Sequence, residues 1–346
     1  MISIQYFNGL PLEYESFLIK KYESFFTSCR YIEIYHPGNE INHVLITENG
    51  SLIEVLMFEK KGDTITCLNK LGTIEQNIIS EFTKFIFERF PTVKKIRILA
   101  SYTSYSLNKM VLLDRNNDYI INLHSTINDY MSELGYHTRK NVNNRKSRLL
   151  KDYPNVKFVT RYGIEIDESI VDKIIQLNID RMKFKGIIPG KDNTDKINIY
   201  DFSRHYGVVT YIEIDGVVVA GNISYIVNKS IFGHVLAHDE NFSKYNVSKL
   251  SLLYLIQTSI EKEITKFHFL WGDNDYKKKF LGEPNLLYYY VIYRYYSLDY
   301  GFNKIKVVFV SALKRFRLSK YSKPLRDAIK SYRRKKMTVI RETEIE

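Results

Sequence analysis

Residues 208–240 read VVTYIEIDGVVVAGNISYIVNKSIFGHVLAHDE. Three runs rich in β-branched and aromatic residues are separated by Asp215-Gly216 and Asn228-Lys229, turn dipeptides of the kind that join neighbouring strands. Residues 240–280 constrain the fold further. A polar loop, ENFSKYNVSK, leads into the helical pattern LSLLYLIQTSIEKEI with a broad apolar face. KFHFLWGD is then a short strand that stops on the cluster DNDYKKK. Loops at strand ends often carry function on a rigid scaffold.

The rest of the chain surrounds this unit with similar material. In residues 1–125, LEYESFLIKKYESFF has helical spacing. INHVLITENGSLIEVLMFEKKGDTITCLN reads as strands turning at Asn49-Gly50 and Gly62-Asp63. IEQNIISEFTKFIFERF places Ile74, Ile78, Ile79, Phe82, Phe85 and Ile86 on one side of a helix. VKKIRILAS and DYIINLH are strands. Residues 126–151 read as two helices, the second strongly basic. VKFVTRY is a strand, and a helix comes next with Asp167 as N-cap and Gly186 as C-cap. NLLYYYVIYRYY is the last strand. Both halves alternate strands and helices, so a duplicated α/β (α+β) architecture is expected. Its parts are an N-terminal domain (1–125), a main domain (126–300) and a basic tail (301–346).

Composition excludes several classes. Two cysteines in 346 residues supply neither a disulfide framework nor a Cys-rich zinc site, and no metal is expected. No apolar run approaches the roughly 20 residues of a membrane span. The N-terminus lacks a basic n-region and a continuous apolar core, so a cytoplasmic location is expected. The net charge of +12 sits mostly in the tail, where residues 301–346 hold 14 Lys/Arg against 4 Asp/Glu. That balance suits either a solvated terminus or an anionic, inner membrane surface.

The loop Lys244–Lys249 at a helix start has phosphate-binding potential, because a helix N-terminus offers unpaired N–H groups and a positive dipole end. An ordinary Ser or Asn cap with surface lysines reads equally well there. The order of elements then adds a resemblance. The hairpin Asp215-Gly216-Val217-Val218-Val219-Ala220, the strand GHVLAHDE, the loop YNVSKL and the ending FHFLWGDNDYKKKF resemble the GNAT acyltransferase superfamily. They are most similar to its cellulose-biosynthesis-associated (CelD-like) branch, over residues 130–295. The resemblance implies a GNAT fold, a mixed, mostly antiparallel sheet flanked by helices, with acyl-CoA held where two central strands part. It places the cofactor loop at Asn246, Val247, Ser248 and Lys249. The glycine usual in that loop is missing here. The related Fem-type transferases, which use aminoacyl-tRNA, suggest a tandem GNAT arrangement.

On this resemblance Tyr276 lies near the acyl carbonyl and protonates the leaving thiolate. Lys277 meets an anionic substrate or phosphate. Asp273 lies on the substrate side, although a turn cap explains it as well. Candidate bases are Glu213 on the hairpin and His234, His238 and Asp239 around the next strand, His having the ordinary pKa nearest neutrality. His205 lines the acceptor side. Arg139 and Arg145 on the basic helix bind a phosphorylated acceptor, or form part of a solvated face. The expected function is transfer of an acyl group, acetyl first, from acyl-CoA to an amino or hydroxyl group. The expected acceptor is sugar-containing or nucleotide-linked and belongs to bacterial cell-surface polysaccharide or glycolipid assembly. The alternatives are a Fem-like enzyme that binds tRNA and a non-catalytic, membrane-associated GNAT-fold protein.

Overall fold

A computed structural model describes residues 2–186 and 193–315. The first half runs β1 (Ile2–Asn8), α1 (Glu15–Tyr22), α2 (Cys29–Tyr35), β2 (Ile41–Glu48), β3 (Ser51–Lys61), β4 (Thr64–Cys67), α3 (Gln76–Arg89), β5 (Lys95–Ser101) and β6 (Met110–Asn122). Helices α4 (Ile127–Glu133) and α5 (Tyr136–Asp152) lead into the second half. That half runs β7 (Lys157–Tyr162), α6 (Glu168–Phe184), α7 (Asn193–Tyr206), β8 (Gly207–Ile214), β9 (Val217–Val227), β10 (Ser230–His238), α8 (Val247–Glu261), β11 (Lys266–His268), α9 (Asp275–Lys279), β12 (Glu283–Tyr293) and α10 (Leu298–Arg315).

Local chemistry accounts for the elements. Asn49-Gly50 and Asp215-Gly216 all have positive φ, which these small residues tolerate and which tight strand-to-strand turns require. Asp167 caps α6 by accepting from the Ser169 N–H at 2.8 Å, and Gly186 beyond the helix end takes φ +63°. Helix α3 buries Ile78, Ile79, Phe82 and Ile86 on one face, as its spacing predicts. Helix α8 is buried far around its circumference. Each of Leu250, Leu252, Leu255 and Ile256 contributes roughly 1.5–3 kcal/mol by leaving water.

Among the described residues the strands form one twelve-stranded sheet, in the order β1-β2-β3-β4-β5-β12-β6-β11-β10-β9-β8-β7. The order is a duplication. β1 to β4 pair antiparallel in sequence, and β4 pairs parallel with β5. β7 to β10 repeat this, with β10 parallel to β11. In each half two helices join the first two strands and one long helix joins the parallel pair. This is a tandem GNAT fold. The halves also exchange a strand. β12, from the second half, pairs with β5, while β6, from the first half, pairs with β11. The boundary expected at residue 125 follows the chain, but the sheet runs across it. Among the described residues no helix is long and apolar enough to cross a membrane. Most of the basic tail lies outside the described residues.

Candidate active-site cleft

The site begins where β10 and β11 part. They pair only from Ser230–Lys266 to Phe232–His268. β10 then continues to His238, and its pairing to β9 shifts between Gly233 and Val235, a bulge that bends the strand. β11 ends instead, and the chain turns away through Leu270 (φ +56°) and Gly272 (φ +104°). A cleft of about 1030 Å³ opens from this gap.

Its two ends differ in chemistry. Toward the end of β10 and the start of α8 it is lined by Arg181, Lys185, Ser243, Asn246, Ser248 and Lys249. Toward the gap it is lined by Leu252, Leu255, Phe267, Phe269, Leu270 and Trp271. The first half adds Phe26, Tyr31 and Tyr35 from around α2. Phe26 stacks on Trp271 with centroids 5.5 Å apart. That aromatic contribution leaves no mark in the motif-bearing stretch, and only the run FF at 25–26 with Tyr31 and Tyr35 at helical spacing signals it.

The loop expected to bind phosphate is built from Asn246. This residue takes the left-handed conformation (φ +53°, ψ +38°) that starts α8. Asn tolerates that region better than other non-glycine residues, so it supplies the turn for which the resemblance expects glycine. Ser248 and Lys249 are half-buried on the cleft side. The Val247 side chain is fully buried, which leaves only its backbone N–H for a ligand. Helix α5 braces the loop: Arg145 donates to the Lys244 carbonyl at 2.6 Å, and Asn246 to Asn141 at 3.0 Å. Arg139 donates to the carbonyls of Met131 and Ser132, closing the end of α4. Both arginines therefore hold backbone rather than line the cleft, which corrects the expectation that they bind substrate.

Tyr276 and Lys277 reach the cleft from α9. Tyr276 packs edge-on against Phe269 at 5.8 Å, and burial raises its phenol pKa. It therefore stays protonated at neutral pH. Lys277 is 2% exposed and donates to the carbonyls of Phe269, Leu270 and Trp271 at 3.2, 2.9 and 3.0 Å. All three ammonium hydrogens are used, so it pins the turn at the gap and has none left for an anion. Burial lowers its pKa to about 8, against the opposing pull of Asp118 and Asp273.

The candidate bases separate. His238 lines the cleft, with its pKa lowered first by burial and then by Arg181, so its imidazole is neutral at pH 7. It lies six residues beyond Phe232, where pairing to β11 ends, about 20 Å from the gap at the usual strand rise. Asp239 caps the next turn by accepting from the Asn241 N–H at 2.9 Å, while Glu240 and Asp195 are the carboxylates in the cleft lining. Glu213 is ion-paired to Lys157 at 3.3 Å and lines a separate surface hollow. His205 is exposed on the last turn of α7, away from the cleft lining. Asp273 is exposed and accepts from the Tyr119 hydroxyl at 2.6 Å. Among the described residues no group of His, Cys, Asp and Glu is arranged to hold a metal.

The equivalent place in the first half is closed. Leu68, Asn69, Leu71 and Ile74 between β4 and α3 are buried, and Asn69 bonds the backbone of Val55 and Met57. In the second half the corresponding loop lines the open cleft.

Residues 137–278 match the family model described as an acetyltransferase (GNAT) domain. The match assigns this segment, less than half of the chain, to a GNAT domain, which supports a transferase activity. Among solved structures, FemX superposes with a TM-score of 0.60 at 9% identity, over 82% of this chain and 96% of its own. A conserved protein of unknown function from Bacteroides thetaiotaomicron does so at 0.56 and 11%, over 85% and 100%. The C-terminal domain of a putative lysylphosphatidylglycerol synthetase from Agrobacterium fabrum does so at 0.54 and 10%, over 87% and 95%. At these identities the likeness establishes a shared fold. No curated protein matches the sequence.

Proposed function

We propose that the protein transfers an acyl group, acetyl in the first instance, from acyl-CoA to an amino or hydroxyl group of a sugar-containing acceptor. The observation that carries this reading is the two-ended cleft. Its polar end gathers Arg181, Lys185 and Lys249 near the start of α8, where diphosphate is favoured by charge and by free amides. Its other end is apolar and lies where the strands part, which suits a pantetheine arm and a thioester. The separation of roughly 20 Å along β10 fits a long, thin donor. His238, Ser243 and Ser248 then belong to donor binding rather than to proton transfer. Tyr276, protonated and beside Phe269, donates to the thiolate as the carbon–sulfur bond breaks.

The motif resemblance to the CelD-like branch is what favours a sugar acceptor and a place in cell-surface polysaccharide assembly. A cytoplasmic site of action, peripheral on the inner membrane surface through the basic tail, belongs to the same reading. Isothermal titration with acetyl-CoA and with free CoA tests it, together with Ser248→Glu and Lys249→Glu. Micromolar binding by the parent and at least tenfold weaker binding by both variants is the expected result. Absence of binding by the parent, with tight and salt-sensitive tRNA binding instead, would move the assignment to an aminoacyl-tRNA donor.

A further inference from the structure

A second cavity, of about 700 Å³, lies where the two halves meet. Phe232 and His268, the last paired residues of β10 and β11, line it. Their neighbours Gly233 and Phe267 line the donor cleft. Alternate residues of a strand face opposite sides of the sheet, so the two cavities flank one strand pair from opposite faces at the point where it opens.

His268 is held there with unusual care. Its ring stacks on Phe232 at 4.4 Å, and its Nδ1 is 2.7 Å from Asp118 Oδ2. Asp118 comes from β6, the strand lent by the first half, and is completely buried. The Tyr102 hydroxyl, also from the first half, donates to the same oxygen at 2.7 Å, and Asp118 Oδ1 has no partner. Burial and the adjacent Asp118 push the Tyr102 phenol pKa well up, so it remains a donor. A buried carboxylate accepting from Nδ1–H fixes the tautomer that leaves a lone pair on Nε2.

The lining also says what the cavity would take. Lys266 pairs with Glu23 at 3.3 Å and Lys21 with Glu54 at 3.0 Å. Glu283 has no ion-pair partner among the described residues, and Asn122 and Asn285 flank it. One unspent carboxylate among amides suits a small, hydroxylated molecule bearing a primary ammonium group.

We propose that this cavity is the acceptor site, that it takes a polar primary amine of amino-sugar size, and that His268 is the base of the transfer, positioned by Asp118 and Tyr102. The inference rests on the acyl-CoA reading of the donor cleft. Glu283 holds the incoming ammonium, which sheds one proton to solvent on docking. The amine nitrogen attacks the thioester carbon, and its surplus proton passes to His268 Nε2. As the carbonyl re-forms, the carbon–sulfur bond breaks and the thiolate takes a proton from Tyr276. The amide and free thiol leave, and the proton on His268 returns to Tyr276 through solvent. The exchanged strand thereby acquires a purpose, since the second half's reaction uses a base oriented by the first half.

The experiment uses the full chain, acetyl-CoA and glucosamine, with thiol release followed by a disulfide dye. Acetyl-CoA affinity is measured on every variant by titration. In the parent, glucosamine is expected to accelerate thiol release. His268→Gln should lower kcat by about 100-fold or more, with acetyl-CoA affinity within about twofold of the parent. Asp118→Asn and Tyr102→Phe should lower kcat with little change in the glucosamine KM, the Asn variant more. Glu283→Gln, a surface change that leaves the fold alone, should raise the glucosamine KM by about tenfold with kcat retained. If acetyl-CoA binds but His268→Gln matches the parent, the base assignment is wrong. If acetyl-CoA binds and glucosamine neither accelerates release nor responds to Glu283→Gln, the amine site is wrong. If acetyl-CoA does not bind the parent at all, the failure is that of the donor reading.

Discussion

Replacing Lys277 with Met tests the turn that shapes the cleft. Met keeps the length of the stem and removes the ammonium group. The carbonyls of Phe269, Leu270 and Trp271 then lose their donor. At roughly 1 kcal/mol for each stranded acceptor, less where cleft water replaces it, the loss of stability is about 2–4 kcal/mol. Two opposing effects act on the charge. The three carbonyls favour the ammonium form, and burial opposes it. Burial prevails, with the pKa lowered from 10.5 to about 8. In the window from pH 8 to 10.5 the unfolded chain therefore holds more proton than the folded one, and stability rises with pH. Between pH 7 and pH 9 this linkage adds about 1.3 kcal/mol to the parent and nothing to the variant. Urea unfolding at both pH values measures the difference directly. The gap between parent and Lys277→Met should widen by that amount at the higher pH. A gap that narrows would falsify the reasoning, because it would mean that the carbonyls outweigh burial and hold the ammonium in its charged form.

Three further outcomes are expected. Tyr276→Phe should reduce kcat by about 100-fold with acetyl-CoA affinity unchanged, as single-turnover kinetics would reveal; a drop in affinity alone would make Tyr276 a binding residue. Asn246→Gly should leave donor binding and melting temperature nearly unaltered, whereas Asn246→Val should cost about 1–2 kcal/mol, since a β-branched residue resists φ +53°. Arg145→Ala, which frees the Lys244 carbonyl from α5, should weaken acetyl-CoA binding several-fold in calorimetry, while Arg139→Ala, remote from the loop, should not.

Several residues that line the candidate cleft could be named from the sequence. Asn246, Ser248 and Lys249 share one loop, His238 precedes it and Tyr276 lies well beyond it, and the structure brings them all to one cleft. They could be read because a loop at a helix start and a tyrosine after a strand end are local features with local chemistry. Lys277 was misread for the same reason. In the run Lys277-Lys278-Lys279 the residues look alike, and only packing selects the first for burial. Its spacing to Phe280, three residues on and also buried, was the one available sign that it shares the inward face of α9. Glu213, His205 and Asp239 were chosen by residue type near the right strands. The strand pairing sent Glu213 toward Lys157 instead, and a turn N–H claimed Asp239.

By itself the sequence determined most of the strands and helices, the turns between them and the position of the loop that starts α8. Each of these depends on residues within a few positions of one another, through side-chain period, turn propensity and capping. Tertiary structure alone decided that β6 and β12 change places, that the first half's loop is filled while the second's stays open, and that His268 meets Asp118 across 150 residues of chain. Those outcomes are set by which surfaces bury one another, and no local pattern along the chain records them.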